Sequence, residues 1–382
     1  MSIRPHTVLR FGYGRPVPMT ARADRRGTAP AVRGEPLIRG HLVDIHVSGR
    51  RHPPVIRGGF GLPMKIMWKS LAALVIAGLS VAASAPAAAD AGARDRGSIV
   101  ITEQASKRIL VLPADRASWQ NRKVSWAWAP NSANGLADLA GSWSNPSDAK
   151  LAERGGEKYL LTSASGGFAA VVPYPAGDRA YWAANVGGPA NPHSIELLPD
   201  GNVAVAASTG GWVRIYTASQ GQRSTAYTEY RLVGAHGVVW DAGRNVLWAL
   251  GTDVLVALKV GGTPGAPVLT EQRSVPVPTK GGHDLQPIPH RSDLLWVTTE
   301  AGVYQFSKTS GGFTQRYAGA REIDRPHVKS VSTNPRTGQV LTASVQEGHL
   351  CTWCTDTVRL AFPRAELALH GAWIYKARWW IG

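Results

Sequence analysis

From about residue 98 onward, the chain alternates between short apolar segments and polar or glycine-containing turns. One example is the apolar segment 203–207, which is followed by Gly210-Gly211 and then by the apolar segment 212–216. Comparable pairs of segments begin near residues 159, 246, 294 and 340. Apolar runs of this length that are bounded by glycine predict β-strands joined by hairpins. Helical periodicity is absent from this pattern, which indicates an all-β protein.

The strand pairs belong to repeats, and each repeat opens at a polar anchor residue. The anchors are Ser147, His193, His236, His283, His327 and His370, at intervals of 43 to 47 residues. Each complete repeat opens with one strand, continues with an apolar strand, a glycine-containing hairpin and a third strand, and ends with a more polar fourth strand. Four-stranded units at this spacing are typical of the blades of a β-propeller. The sequence therefore predicts a six-bladed β-propeller.

The two ends of the repeat region each carry part of a repeat. Segment 369–379 has the pattern of a repeat opening, yet the sequence ends at Gly382. Segment 98–128 contains the later strands of a repeat and lacks the first one. We therefore expect the C-terminal strand to supply the inner strand of the first blade, which closes the ring and leaves no open sheet edge.

Segment 64–91 has the features of a secretory signal peptide. Lys65 and Lys69 precede the apolar stretch 71–83, and small residues follow as far as Asp90. This stretch is shorter than the roughly 20 residues that a membrane span needs. We expect a secreted, extracellular protein without a membrane span.

The leader, residues 1–63, would prevent such a signal peptide from working. It is basic and rich in Pro and Gly, with no apolar periodicity. One interpretation is a mis-called, disordered upstream leader, with the true start at Met64 or Met67. The other is a basic arm that binds nucleic acid or a membrane. In either case we expect the propeller to occupy residues 92–382.

The net charge of the chain indicates which classes of binding partner to expect. The formal net charge is +16, but the leader alone holds eleven Arg and three acidic residues. From Asp90 onward the chain has 29 basic and 23 acidic residues, which is only mildly basic. We expect no nucleic-acid partner, while an anionic saccharide remains compatible with this charge. The expected oligomeric state is a monomer.

Cys351 and Cys354 are the two cysteines of the sequence. In an exported protein, a pair at this spacing is most simply a local disulfide. Redox chemistry and metal binding are the alternatives. The first needs a thioredoxin-like helix pattern, which is not found nearby, and the second would need two more thiols or suitable imidazoles.

The anchors predict the functional site because the first strand of each blade lines the central channel. Five imidazoles and one hydroxyl should then meet where the chain enters the inner strands, at what we call the top of the channel. Neutral imidazole suits Mn, Zn or Cu, so His193, His236, His283, His327 and His370 are candidate ligands of a divalent transition metal. The alternative is a ring of structural histidines that was copied with the repeat.

Other polar residues at the same face are candidates for substrate binding. Some lie at or just after the anchors and the others on the neighbouring hairpins: Ser147, Asp284, Lys329, Glu103, Glu300 and His349. A carboxylate could orient an imidazole, and a lysine could neutralise a substrate carboxylate. Solvated or salt-bridged side chains are the alternative interpretation. The HExxH, GxSxG and Walker motifs are absent, so no catalytic residue is assigned.

The Pro-His, Ala-His-Gly and Gly-His-Asp-Leu openings of the repeats at His193, His236 and His283 resemble those of an exported actinobacterial propeller family of unknown function. This resemblance covers nearly all of residues 92–382. The site is also similar in style to that of oligogalacturonate lyases, which are seven-bladed propellers with a histidine-ligated manganese ion. Such a resemblance implies a metal-dependent lyase or hydrolase that acts on an anionic saccharide. The alternative function is a non-catalytic propeller that binds a glycan or protein.

Overall fold

Six four-stranded antiparallel sheets make up the structure, a computed structural model that describes residues 97–382. The six-bladed, all-β prediction is confirmed. The predicted leader (1–63) and signal peptide (64–91) lie outside the described residues, as do residues 92–96 of the predicted propeller.

The first three blades follow the chain, and in each the inner strand is given first. Blade 1 contains β24 (Ile374–Trp380), β1 (Ser98–Glu103), β2 (Arg108–Pro113) and β3 (Trp126–Trp128). Blade 2 contains β4 (Pro146–Arg154), β5 (Glu157–Ala164), β6 (Phe168–Pro173) and β7 (Trp182–Asn185). Blade 3 contains β8 (Pro192–Leu197), β9 (Val203–Ala207), β10 (Trp212–Tyr216) and β11 (Tyr227–Arg231).

The remaining three blades repeat this order. Blade 4 contains β12 (Gly237–Asp241), β13 (Val246–Leu250), β14 (Val254–Thr263) and β15 (Ala266–Pro276). Blade 5 contains β16 (Asp284–Pro287), β17 (Leu294–Thr298), β18 (Val303–Ser307) and β19 (Phe313–Thr314). Blade 6 contains β20 (Val328–Thr333), β21 (Val340–Ser344), β22 (Thr357–Ala361) and β23 (Ala365–Ala368).

The helices of the described chain are short. They are α1 (Arg116–Gln120), α2 (Ala320–Ile323) and the 3-10 helices Ala137–Ser142, Gly188–Ala190 and Ala218–Gln220. Within residues 97–382, we find no helix with the length and apolar character to span a membrane.

Hydrophobic cores lie between neighbouring blades rather than inside any one blade. Six clusters of buried residues each combine side chains from two adjacent blades. The second strand of a blade is therefore covered on both faces, which explains why β9 is an unbroken apolar run instead of an alternating one. Gly211 adopts φ of +66° in the hairpin that follows β9, a backbone conformation that glycine accepts without steric cost.

The C-terminal strand closes the ring as predicted. β24 pairs antiparallel with β1, from Ser98 opposite Trp380 to Glu103 opposite Ile374. Every residue of β24 is buried. The strand also contacts β4 and β20, the inner strands of the two neighbouring blades.

Four inner strands begin with an irregularity that sets the direction of one side chain, and in β24 it lies between Ile374 and Ala377. The pairing with the second strand shifts register by one residue at Ser147 in β4, at His193 in β8 and at Lys329 in β20. An extra residue of this kind is a β-bulge, which turns its side chain relative to the regular ladder. Lys329, rather than His327, therefore stands at the position that corresponds to His193.

Candidate functional site

Three anchor histidines lie side by side at the top of the channel. The rings of His193 and His236 stack with centroids 4.4 Å apart, and the ring of His283 lies edge-on to His236 at 5.5 Å. Each of these residues stands at or just before the first residues of an inner strand. The structure thus brings together three of the five predicted histidines.

The imidazoles of this cluster are neutral at physiological pH. Burial lowers the pKa of His236 to about 3, and the nearby charges of Lys376 and Lys329 act in the same direction. Burial likewise lowers the pKa of His283 to about 4 and holds the pKa of His193 well below its usual range.

Hydrogen bonds select the tautomer of the central imidazole. His236 Nδ1 lies 2.8 Å from the carbonyl oxygen of Gly234, so Nδ1 carries the proton and donates. Nε2 of His236 then keeps a lone pair, the requirement for a general base. Nδ1 of His193 lies 3.0 Å from the hydroxyl of Tyr375. Burial raises the pKa of Tyr375, so that phenol stays protonated and can donate.

Glu300 joins this buried cluster to the solvent. One carboxylate oxygen lies 2.6 Å from His283 Nε2 and 3.4 Å from Lys329 Nζ, and the other lies 2.6 Å from His327 Nδ1. Lys329 Nζ also lies 2.8 Å from His283 Nε2. The side chain of Glu300 is 47% exposed, whereas His283 and Lys329 are buried. The mouth of the channel therefore holds the side-chain carboxylate of Glu300.

Both groups of the Glu300–Lys329 contact have shifted pKa values, and the shift of Glu300 favours its ionised form. Burial opposes ionisation of Glu300, but the hydrogen bonds from His327 and His283 and the charge of Lys329 lower its pKa to about 2. Burial lowers the pKa of Lys329, and the charge of Glu300 partly offsets that effect.

A buried ion network lies below the histidines within the channel. Arg378 donates to both carboxylate oxygens of Asp284 at 2.8 Å and to Asp148 at 2.7 Å. Lys376 Nζ lies 3.3 Å from Asp284 Oδ1 and donates to the carbonyl oxygen of His193 at 3.1 Å. All four charged side chains are almost completely buried. Asp284 was predicted to bind substrate, but the structure places it in this network.

The opposite, lower end of the channel contains a cavity of about 300 Å³. All six inner strands line it, and Lys150, Glu196, Gln286, Ser332 and Arg378 supply its polar side chains. Lys150 and Glu196 pair across it at 3.0 Å. The Arg378 network therefore lies between this cavity and the histidine cluster.

The other predicted site residues fall outside the cluster. His370 is remote from it, because its side chain is 82% exposed and lies 3.6 Å from Asp356. Ser147 is buried and donates to the carbonyl oxygen of Pro192 at 2.6 Å. Ser147 thus links two neighbouring inner strands, and His370 lies at the surface.

The loops beside β24 are held in place by contacts of Glu103, His349 and the cysteine pair. The carboxylate of Glu103 accepts the backbone N–H of Trp373 at 2.8 Å. His349 Nε2 lies 3.0 Å from the carbonyl oxygen of Ala372. The predicted disulfide between Cys351 and Cys354 is present, with Cα atoms 5.3 Å apart. These contacts hold the loops around the entrance of the closing strand.

The ammonium group of Lys329 lies beside one of the imidazoles that a metal ion would need. Among residues 97–382, no group of three or more His, Cys, Asp or Glu side chains has the geometry to hold one. At His283 Nε2, the position that a metal would need is taken by the ammonium group of Lys329. A positive charge from the chain itself thus stands where the sequence suggested a bound cation.

Three charged or polar channel residues were missed as site residues by sequence reasoning: Tyr375, Lys376 and Arg378. A signal for two of them was present, because Lys376 and Arg378 alternate with apolar residues in a strand that is otherwise suited to a core. Charges in such a strand indicate partners inside the fold.

The comparisons with known proteins identify the family. The sequence profile of a family described as "Family of unknown function (DUF6528)" matches residues 67–382. The chain belongs to this DUF6528 family. No curated protein matches the chain.

Two solved structures are similar to this DUF6528 member. A protein of unknown function from Bacteroides caccae has a TM-score of 0.48 and 10% identity, over 74% of this chain and 98% of that chain. A streptogramin B lyase has a TM-score of 0.39 and 12% identity, over 59% of this chain and 69% of that chain.

Acidification from pH 6.5 to pH 4 should lower the free energy of unfolding. The pKa values of His193, His236 and His283 lie below the unfolded value near 6.5, so the unfolded state binds more protons in this range. The stabilisation is complete above pH 6.5 and is lost as the pH falls towards the folded pKa values. Each unit of pKa difference corresponds to about 1.4 kcal/mol.

Denaturant titrations at several pH values measure this slope. His236→Gln should flatten it, whereas His370→Gln, at an exposed anchor, should leave it unchanged. Equal slopes for wild type and His236→Gln would contradict the assignment of neutral buried imidazoles.

Proposed function

We propose that the top of the channel binds the carboxylate of an anionic saccharide and acts on it by acid–base chemistry, as a lyase or hydrolase. The observation that carries this proposal is the contact of Glu300 with His283, His327 and Lys329. A side-chain carboxylate already lies in a setting of two imidazoles and one ammonium group. A uronate carboxylate has the same charge and shape and can replace or join it.

The lyase version assigns a role to each neighbouring group. Nε2 of His236 removes the proton on the carbon next to the substrate carboxylate, and Lys329 neutralises the enolate that develops. A C=C bond then forms as the bond from the adjacent carbon to the glycosidic oxygen breaks. That oxygen leaves with a proton from solvent. A neutral imidazole is needed for the first step, which the low pKa of His236 provides.

Secretion, which the predicted signal peptide suggests, would expose this site to extracellular polymers. The mildly basic charge of the chain after Asp90 favours an acidic polymer. Both points support the same substrate class.

In a second version of the proposed site, which the sequence suggested, a divalent ion of Mn, Zn or Cu takes part in the chemistry. It requires Lys329 to leave His283 Nε2 so that His193, His236 and His283 can turn towards one ion. Calorimetric titration with each metal tests this version, and tight binding that is lost in His283→Ala would support it.

The binding-only function is favoured by a different observation. Glu300 already satisfies Lys329 and His283 without any ligand, as expected for a stable structural arrangement. This version predicts glycan or protein binding at the same face with no turnover.

Lys329→Met should weaken the binding of oligogalacturonate about tenfold or more, because a charge-assisted hydrogen bond is lost. Calorimetry measures affinity, and ultraviolet absorbance of the unsaturated product measures turnover. Lys259→Met, at an exposed lysine of β14, is the matched control and should change neither.

Glu300→Gln and His236→Gln separate the roles. Glu300→Gln should tighten binding because a competing carboxylate is removed. His236→Gln should preserve binding and abolish turnover. Binding without any turnover by the wild type would leave the binding-only function, and no binding across a panel of uronate polymers would overturn the proposal.

A further inference from the structure

A second charged site lies at the outer rim of the ring, far along the blades from the channel strands. A cavity of about 70 Å³ is lined by α2, the segment that follows it, β21, β22 and the start of β23. Its lining includes four arginines and two glutamates: Arg321, Arg325, Arg359, Arg364, Glu322 and Glu366. Positive charge therefore exceeds negative charge around a space suited to one small ion.

The ion pairs of the described chain leave most of this positive charge unmatched. Arg359 pairs with Glu366 at 3.0 Å, and both side chains are substantially exposed. Arg321, Arg325 and Arg364 form no ion pair with the residues that the structure describes. An exposed ion pair such as Arg359–Glu366 contributes little to stability, so this pair does not explain why four arginines lie together.

Arg325 is the most constrained member of this cluster. Its Nη2 donates to the backbone carbonyl oxygen of Glu322, while its Nε is buried and has no hydrogen-bond partner. A buried donor without a partner is costly, and such donors usually have a protein, water or ligand acceptor. Burial lowers the pKa of Arg325, and the charges of Arg359 and Arg364 lower it further. The like charges are close enough to repel one another.

A larger cavity continues from the same place. It measures about 730 Å³ and shares Arg364, Ala365 and Glu366 with the smaller one. Thr337 and Gln339 line its other part. The bound group can therefore belong to a larger molecule that extends along this surface.

We propose that the cavity around Arg325 binds a tetrahedral oxyanion, either phosphate or sulfate, free or as an ester. The four arginines that line the space come from α2, the segment after it, β22 and the turn before β23. A tetrahedral group offers four oxygens and up to two negative charges to such donors, whereas a carboxylate offers two oxygens in one plane. The site is independent of the function proposed for the top of the channel.

Thermal unfolding and calorimetry with sodium phosphate and sodium sulfate, against sodium chloride at equal ionic strength, test this inference. Phosphate or sulfate should raise the unfolding temperature above that in chloride, because the ion binds the folded state. Arg325→Gln should weaken the measured affinity about tenfold or more. Arg291→Gln, at an exposed arginine of blade 5, should retain the wild-type affinity.

Two further comparisons identify the class of ligand and provide a second variant in case the first one does not fold. Dextran sulfate against neutral dextran, and a sugar phosphate against the sugar, distinguish ester groups from free ions. Arg364→Gln, at an exposed position, should also weaken binding and serves if Arg325→Gln does not fold. Equal effects of chloride, phosphate and sulfate on the wild type, or unchanged affinity in Arg364→Gln, would overturn the inference.

Discussion

A chain that ends at Ala372 should yield no soluble folded protein. This truncation removes β24, and with it the inner strand of blade 1 and its whole ladder with β1. Ile374, Trp379 and Trp380 are buried in the cores on either side of blade 1. Burial of three such side chains contributes roughly 5–9 kcal/mol, which is comparable to the usual net stability of about 5–15 kcal/mol.

Two controls separate loss of the strand from mere shortening of the chain. Removal of Ile381 and Gly382 alone should leave cooperative thermal unfolding intact. A circular permutant that places 373–382 ahead of Gly97 through a short glycine linker should fold, because Trp380 lies opposite Ser98. A chain ending at Ala372 that unfolds cooperatively at the wild-type temperature would show that closure by β24 is dispensable.

The fold could be predicted because a propeller repeats one local pattern many times. Each blade needs only four short antiparallel strands joined by turns, and the regular distance between anchors indicates the length of the blade repeat. The closing strand was visible for the same reason, since segment 369–379 opens a repeat that cannot be completed before Gly382. Errors in single strand boundaries do not change the blade count.

The site was only partly predictable because side-chain direction depends on single-residue irregularities. His193, His236 and His283 meet as the anchor spacing indicates. In blade 6 the bulge turns Lys329 into the channel, while His327, at φ of +59°, lies at the solvent-exposed mouth. A shift of one residue reverses which side chain faces the channel, and repeat spacing does not reveal such a shift.

His370 illustrates a different reason. The chain between this anchor and Ile374 forms a turn, and Ile374, the first residue of β24, makes an isolated bridge to Thr355. The inner strand therefore starts later than in the other repeats, and Tyr375 takes the place beside His193. The aromatic hydroxyl replaces the imidazole that the repeat pattern suggested.

Arg378→Met should lower the free energy of unfolding by roughly 3–5 kcal/mol or more at pH 7. The substitution keeps most of the aliphatic volume but leaves Asp148 and Asp284 buried without their main counter-charge. Breaking a buried ion pair by removal of one partner is costly because the remaining charge cannot be hydrated. Lys376, at 3.3 Å from Asp284, compensates only part of this loss.

Two comparisons test this explanation in denaturant unfolding experiments. Arg244→Met, at a partly exposed arginine with two carboxylate neighbours, should cost less than about 1 kcal/mol. The double variant Arg378→Met, Asp148→Asn should recover much of the lost stability, since Asp284 keeps Lys376 as its counter-charge and no carboxylate of the pair is left without one.

The pH dependence of Arg378→Met gives the sharpest discrimination between lost charge compensation and lost packing. In wild type, burial opposes ionisation of Asp148, but the charges of Arg378 and Lys376 hold its pKa below the usual value. Without Arg378 the burial effect dominates and raises the pKa of Asp148 and Asp284 in the folded state above their unfolded values. Such a carboxyl group stabilises the fold at low pH and loses that contribution as the pH rises through its folded pKa. The difference between variant and wild type should therefore shrink as the pH falls from 7 to 5, whereas a defect of packing alone would give a constant difference.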